Sequence, residues 1–450
     1  MYVIYSLLLV LGFLILLPRF FIDAFRHGKY VAGFGERLGW LTPLSDARRP
    51  VIWIHCVSVG ETQAARPLVQ AIKREYPNYQ IAVSTITLTG QTFAREVFKN
   101  QATKIFYFPF DWRWIVRRTI KAVHPNAVVV METELWPNFL RECSAREIPV
   151  AIVNGRLSHQ SFRRYRLISV FMRQVLRSIK LAIVQTDADS ERIRALGMDA
   201  DKILVCGNMK FDAGSTTGND PVAAELRQRF QLNRESLLIL AASTHSPEEA
   251  IVLNSFRQIL SSSRLKPRLL IAPRHPERFA EVADLLNVSG LNWVSRSAQP
   301  SERDANAQVI LLDSIGELQS VYALATIVFV GGSFARTGGH NVIEPAAAGV
   351  PVIVGPHTFN FHAIIASFLR AGAIVQLEPL SDSATIVQLT EVTLNLLNDE
   401  ARRDELGRAA LTLVNENRGA TERTLKALAP ILAPAQSPLK SVNERGAPVS

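Results

Sequence analysis

Short β-rich apolar runs, each leading into a stretch of helical periodicity, recur from residue 51 to residue 356. No other feature restricts the chain as much. VIWIHCVSV (51–59) precedes GETQAARPLVQAIKREY, QIAVST (80–85) precedes TGQTFAREVF, and AVVVM (127–131) precedes LWPNFLREC. PVAIVN (149–154), LAIVQT (181–186) and KILVCG (202–207) continue the series. Runs this short and apolar on both faces read as strands of a parallel sheet covered by helices on each side. A second series follows, with LLILAAS (237–243), RLLIAP (268–273), QVILLD (308–313), TIVFVGG (326–332) and PVIVGP (351–356). Between the series, DAGSTTGNDP (212–221) has the composition of a linker. From about Asp382 the chain reads as mostly helical, and after Pro434 it turns polar and rich in Pro and Ser. The expectation is an α/β chain of two Rossmann-like halves, residues 29–211 and 236–433, joined by a linker over 212–235, with a frayed tail over 434–450. Ligands of such chains commonly sit in a cleft between the halves.

The N-terminus adds a different element. Tyr2 to Leu17 is almost continuously apolar and ends at Pro18-Arg19. It is slightly short of the roughly 20 residues of a full span, and Phe20 and Phe21 could extend it. The run lacks the basic start and small-residue cleavage site of a signal peptide, so residues 1–28 are expected to be an uncleaved single-pass anchor. Arg19, Arg26, Lys29 and Arg37 all follow it, which places the body on the cytoplasmic side. Cys56, Cys143 and Cys206 form no CxxC pair and suit a reducing compartment. The net charge of +10 favours anionic partners such as nucleotides, phosphorylated lipids or an acidic leaflet. No zinc-finger spacing, RNP-like motif or basic zipper speaks for nucleic acid.

Several motifs stand at strand ends, where open α/β sheets bind ligands. In SVGE (58–61) the first strand reads as ending at Val59, with Gly60 in a tight turn and Glu61 opening a helix. Glu61 fits either a general base or a carboxylate complementing the helix N-terminus. METELWPN (131–138) puts Glu132 and Glu134 past another strand, as a second acidic pair or a capping cluster. Lys210 in GNMKFD (207–212) is either a cation for developing negative charge or a solvated linker lysine. The segment 156–180 carries seven basic residues and no acidic one, interleaved with Phe162, Tyr165, Leu167, Phe171 and Met172. Such a face suits anionic lipid. In the second half, Pro273-Arg274-His275 ends a strand, where Arg274 offers a guanidinium fork to phosphate and His275 reads as a loop histidine. Gly331, Gly332, Gly338 and Gly339 line a strand-to-helix turn whose free N–H groups are expected to hold phosphate, with Glu344 in reach of a ribose hydroxyl. Asp187-Ala188-Asp189 looks like a metal-binding DxD but reads better as helix-capping acids.

FGERLG, WIHCVSVGE, METELWPN, NGRLS, QT-x-x-D, GNMKFD, PRHPERF, SIGEL and GGSF followed by GGHNVIEPAAAGVPV occur in that order across residues 34–352. This ordered set resembles the 3-deoxy-D-manno-octulosonic acid (Kdo) transferases of lipopolysaccharide core synthesis. The resemblance implies the GT-B fold, CMP-Kdo as donor, the lipid A precursor lipid IVA as acceptor, and inverting single displacement without a metal or other cofactor at the inner membrane. Carried over by motif, Glu61 would activate the acceptor hydroxyl, while Glu132 and Lys210 would stabilise the transition state. Pro273 and Arg274, Ile315, Gly316 and Glu317, and Asn341, Val342, Ile343 and Glu344 would hold CMP. Ile315 stands where the family pattern suggests Met, a small apolar exchange. Two rivals are a GT-B lipid glycosyltransferase using a UDP-sugar and a non-catalytic lipid-binding scaffold.

Overall fold

The computed structural model describes residues 1–27, 33–44, 49–214, 220–233 and 236–432, with backbone alone over 16–27 and at 213, 214 and 363. The tail over 434–450 and the middle of the 212–221 linker lie outside the described residues. The chain forms two compact units, Met1–Met209 together with the segment from Gly419 onward, and Lys210–Arg418.

The first unit is a seven-stranded sheet made of β1 (Val51–His55), β2 (Gln80–Thr85), β3 (Lys104–Tyr107), β4 (Ala127–Met131), β5 (Val150–Gly155), β6 (Leu181–Val184) and β7 (Ile203–Val205), in the order 3-2-1-4-5-6-7. All neighbours are parallel, and Trp53 of β1 stands level with Ala82 of β2 and Val128 of β4. Alternate side chains enter opposite layers: Val51 and Trp53 join Phe106, Phe139 and Val175 on one face, while Ile52 and Ile54 join Leu68, Ile72 and Leu428 on the other. Burial on both faces is why these strands read as continuous apolar runs.

The second unit repeats the plan. It contains β8 (Leu238–Thr244), β9 (Arg268–Pro273), β10 (Trp293–Ser295), β11 (Val309–Leu311), β12 (Ile327–Val330), β13 (Val352–Val354) and β14 (Ile374–Gln376), all parallel, in the order 10-11-9-8-12-13-14. Leu238, Leu240 and Ala242 face one layer, Ile239 and Ala241 the other.

The strands and helices of the two units depart from the sequence expectations in four places. The strands β3, β10 and β14 were not anticipated; each lies at a sheet edge. Strand β1 stops at His55, the helix Val59–Glu75 begins four residues later, and Gly60 sits inside that helix without a positive φ, so it makes no tight turn. The segment assigned to a linker contains the helix Pro221–Arg229, whose Leu226, with Phe230 just after it, is buried in the core of the second unit. The last described helix, Ala420–Leu432, belongs to the first unit, packing on Val59–Glu75 through Leu425, Leu428 and Leu432, not to the second half as its position in the chain suggests.

The N-terminal helix Tyr2–His27 forms, but among the described residues no helix is long and apolar enough to cross a membrane, so the single-pass span is not found. One edge of it is fastened to the first unit. Tyr2 packs edge-on against Phe171 and beneath the Arg141 guanidinium, the Tyr5 hydroxyl donates to Asp111 at 2.9 Å, and Asn138 donates to the Ser6 hydroxyl. Phe13 meets Phe110 and Trp112. Asp111 also accepts the backbone N–H groups of Asn138 and Phe139, and burial pushes its carboxyl up to about 7. The opposite edge is exposed and apolar over the described side chains: Val3, Ile4, Leu7, Leu8, Val10, Leu11, Leu14 and Ile15.

Candidate active site

In an open parallel sheet, the point where successive connections lead off in opposite directions leaves a crevice at the carboxyl ends of two adjacent strands. The first unit has this reversal between β1 and β4, the second between β8 and β12. SVGE and METELWPN lie at the first of these places, and the Gly-rich turn with Pro273-Arg274 lies at or beside the second.

At the first, Glu61 lies in the opening turn of Val59–Glu75 and is 6% exposed. Its Oε2 accepts the Val57 N–H at 2.7 Å, and its Oε1 has the Ser58 hydroxyl at 3.3 Å. With Ser58 as N-cap this resembles a capping box, so the structural role considered for Glu61 is real. It does not saturate the carboxylate, which has about four lone-pair positions. Burial pushes Glu61 up to about 8, assisted by the charges of Glu132 and Glu134. The latter two follow β4. Glu132 adopts the left-handed conformation at φ 54°, a strained geometry for a non-glycine residue that clusters at functional positions. Burial and the Glu132 charge push Glu134 up to about 7. The structure therefore brings Glu61, Glu132 and Glu134 into one electrostatic neighbourhood, where a proton is held near neutral pH. Glu134 was noticed from sequence only as half of an acidic pair. Lys210 lies half-buried in the turn Met209–Gly214, whose first N–H is taken by the Asn154 side chain at the end of β5.

At the second crevice the expectation for the Gly-rich turn is overturned. The amides of its first half are not free for phosphate: the N–H groups of Gly332, Ser333, Phe334 and Ala335 all donate to the carboxylate of Glu248, which also accepts from the His245 N–H. The glycines make room for this. A Cβ at Gly331 would stand 2.8 Å from Glu248 Oε2, and one at Gly332, at φ 67°, would stand 2.8 Å from the His340 ring. Glu248, which opens the helix after β8, was not singled out from sequence. The available signal was its position, the counterpart of Glu61: an acid in the first turn after the first strand of its unit.

The remaining donor candidates separate into two groups. Asn341 donates to Glu344 at 3.0 Å and caps the Ile343 N–H, and burial raises the Glu344 carboxyl against the lowering influence of Arg274. Pro273 ends β9, and Arg274 follows it, its guanidinium without a hydrogen bond or ion pair among the described residues. Glu317 does not join them. Its carboxylate is clamped by Arg296 at 2.9 and 3.0 Å and by the Ser314 hydroxyl, which hold it below the usual carboxylate range. What the Ile315–Gly316 pair leaves open is apolar surface and backbone: Ile315 is 78% exposed, and no atom lies within 4 Å of where a Gly316 Cβ would stand.

Asp187 and Asp189 lie in the first turn of the helix Asp187–Ala195, but its N-cap is Thr186, and Asp189 turns partly to a distant segment. It accepts from Leu157 N–H and the Thr186 hydroxyl, beside Arg192. Among the described residues no cluster of His, Cys, Asp or Glu has metal-holding geometry.

Residues 32–213 match the family model described as 3-Deoxy-D-manno-octulosonic-acid transferase (kdotransferase). A 3-deoxy-D-manno-octulosonic acid transferase of Haemophilus influenzae is 36% identical over 408 residues, covering 90% of this chain and 93% of the relative. One from Bordetella pertussis is 35% identical, covering 84% and 86%. Among solved structures, UDP-GlcNAc 2-epimerase from Neisseria meningitidis bound to UDP-GlcNAc superimposes over 85% of this chain and 100% of its own at TM-score 0.54 and 14% identity, a likeness of fold alone.

Proposed function

Because the chain belongs to the 3-deoxy-D-manno-octulosonic acid transferases, enzymes of lipopolysaccharide synthesis, we propose that it moves Kdo from CMP-Kdo to a sugar hydroxyl of lipid IVA by inverting, metal-independent displacement. In this reading the second unit holds the donor and the first supplies the base. Glu61 takes the acceptor's proton as the hydroxyl oxygen attacks the anomeric carbon. The bond to the CMP phosphate breaks on the opposite face, and CMP departs with the electron pair. Glu132 and Lys210 balance charge in the transition state, and Arg274, the open Ile315–Gly316 backbone, Asn341 and Glu344 bind the nucleotide.

The observation that carries this reading is the state of Glu61: a buried carboxyl at the crevice, incompletely hydrogen-bonded, with its pKa pushed up to about 8. A base is most useful when its pKa lies near the working pH. Glu61→Gln should abolish Kdo transfer to lipid IVA and leave CMP binding intact, read by product mass and by protection from thermal unfolding. Unchanged turnover would reject the base, and protection by UDP in place of CMP would reject the donor.

Membrane attachment on the cytoplasmic face of the bacterial inner membrane is part of the same proposal. Among its described side chains, which end at Ile15, the exposed edge of Tyr2–His27 is apolar, and the junction of His159–Leu167 with Ser169–Leu176 adds exposed Leu167, Ile168 and Val170 beside Arg163, Arg164 and Arg166. A helix fastened along one edge and apolar on the other suits insertion into a single leaflet.

A further inference from the structure

The ends of three neighbouring strands in the second unit deliver three histidines to one spot. His245 follows β8, His275 follows β9 and His340 follows the turn after β12. The His245 and His340 rings lie parallel within 8° at 5.0 Å, with their Nε2 atoms 2.8 Å apart; His275 stands edge-on to His245 at 5.1 Å. The Nε2 contact requires one ring to donate and the other to accept, so the pair shares a proton there and cannot be doubly charged. Burial, the neighbouring imidazoles and Arg274 push His340 down to about 3, and burial with His275 lowers His245.

Two of the acids facing this group are already committed, Glu248 and Glu249. Glu248 is saturated by five backbone N–H groups. Glu249 takes Arg278 and the Thr244 hydroxyl, and Glu344 takes Asn341. Arg274, unpaired, is the cation left facing the rings. Such a group has donors to offer, and among the described acids near it only Glu344, with its single bond from Asn341, keeps room to receive them. When an oxyanion arrives, the histidine pair can take up a further proton and answer it with charge.

We propose that His245, His275 and His340, with Arg274, are the seat of the oxyanions carried on the donor's anomeric carbon, in place of the backbone amides that Glu248 occupies. The inference rests on the CMP-Kdo reading above. In that donor one carbon carries both a carboxylate and the phosphate ester, and the seat serves one or both.

The test uses the full chain in vesicles. Wild type first establishes that CMP binds more tightly than cytidine and that Kdo is transferred; failure at this stage removes the donor reading itself. His245→Ala, His275→Ala and His340→Ala are then compared. If the rings hold phosphate, the preference for CMP over cytidine falls about tenfold or more. If they hold the carboxylate, CMP binding is retained while KM for CMP-Kdo rises by a similar factor. A variant that does not fold is replaced by its His→Gln form, which keeps an N–H donor and should restore part of the lost binding. Folded variants that keep both the CMP-over-cytidine ratio and KM within about twofold of wild type overturn the proposal while leaving the transferase reading in place.

Discussion

Glu61 and Glu248 hold the same station in the two units, and their different surroundings separate their roles. Glu248 accepts five amides and acts as an internal anion; Glu61 accepts one amide and a longer hydroxyl contact. With its pKa near 8, Glu61 is protonated over most of the neutral range. If it is the base, kcat/KM should climb about tenfold per pH unit below that value and level off above it, a profile absent from the residual activity of Glu61→Gln. Stability responds with the opposite sign. The folded-state pKa is raised from 4.5, so the protonated form that the fold favours is retained below the ordinary value and lost as pH rises through about 8. Glu61→Gln should therefore raise the Tm relative to wild type more at pH 8.5 than at pH 5, by scanning calorimetry. For Glu248→Ala the expectation is the reverse of a gain. Stranded buried N–H groups cost roughly 1–3 kcal/mol each, so the second unit should lose on the order of 3 kcal/mol or more, together with CMP binding.

Single turns and helices show what kinds of information a sequence carries well. The central strands were plain because burial on both faces selects unbroken Val, Ile and Leu. The edge strands KIFY, WVS and IVQ pair on one side only, mix polar with apolar residues, and are three or four residues long, too short for a periodic signal. Glu61 was legible because its position follows from the strand before it. Glu248 was not, since four of its five partners stand more than eighty residues away along the chain and only folding brings them to it. The Gly-rich turn misled for a related reason: glycine reports that something approaches the backbone closely, and here the visitors are a carboxylate and an imidazole of the same chain. Gly332→Ala should displace His340, strain a position at φ 67°, and weaken CMP binding about tenfold without unfolding the unit, by calorimetric titration. In the N-terminal helix the aromatic edge at Tyr2, Tyr5 and Phe13 looks from sequence like the rest of an apolar run, and only its contacts show that one side belongs to the protein. Replacing Leu7 and Leu11 by Glu on the other side removes roughly 3–6 kcal/mol of apolar transfer, so cosedimentation with phosphatidylglycerol vesicles should be lost while the Tyr5–Asp111 contact keeps the fold.

At the scale of the molecule, the chain leaves the first unit after Met209, builds the second, and returns at Gly419. The returning helix Ala420–Leu432 buries Leu425, Leu428 and Leu432 against Val59–Glu75, and the Tyr79 hydroxyl donates to the Leu432 carbonyl. Three buried leucines are worth roughly 1.5–3 kcal/mol each. A chain ending at Arg418 should thus show a lowered melting transition for the first unit and an unchanged one for the second, by differential scanning calorimetry. The same return has a consequence during synthesis. The residues of the first sheet leave the ribosome early, yet the helix that covers one of its faces is translated after the whole second unit, more than three hundred residues behind its partner. The helix bearing Glu61 therefore waits, partly uncovered, until residues 420–432 have been made. A nascent chain cut short before Ala420 carries every residue of the acidic crevice on an incompletely packed support, which leaves such copies exposed to proteases in a way those with the returning helix are not.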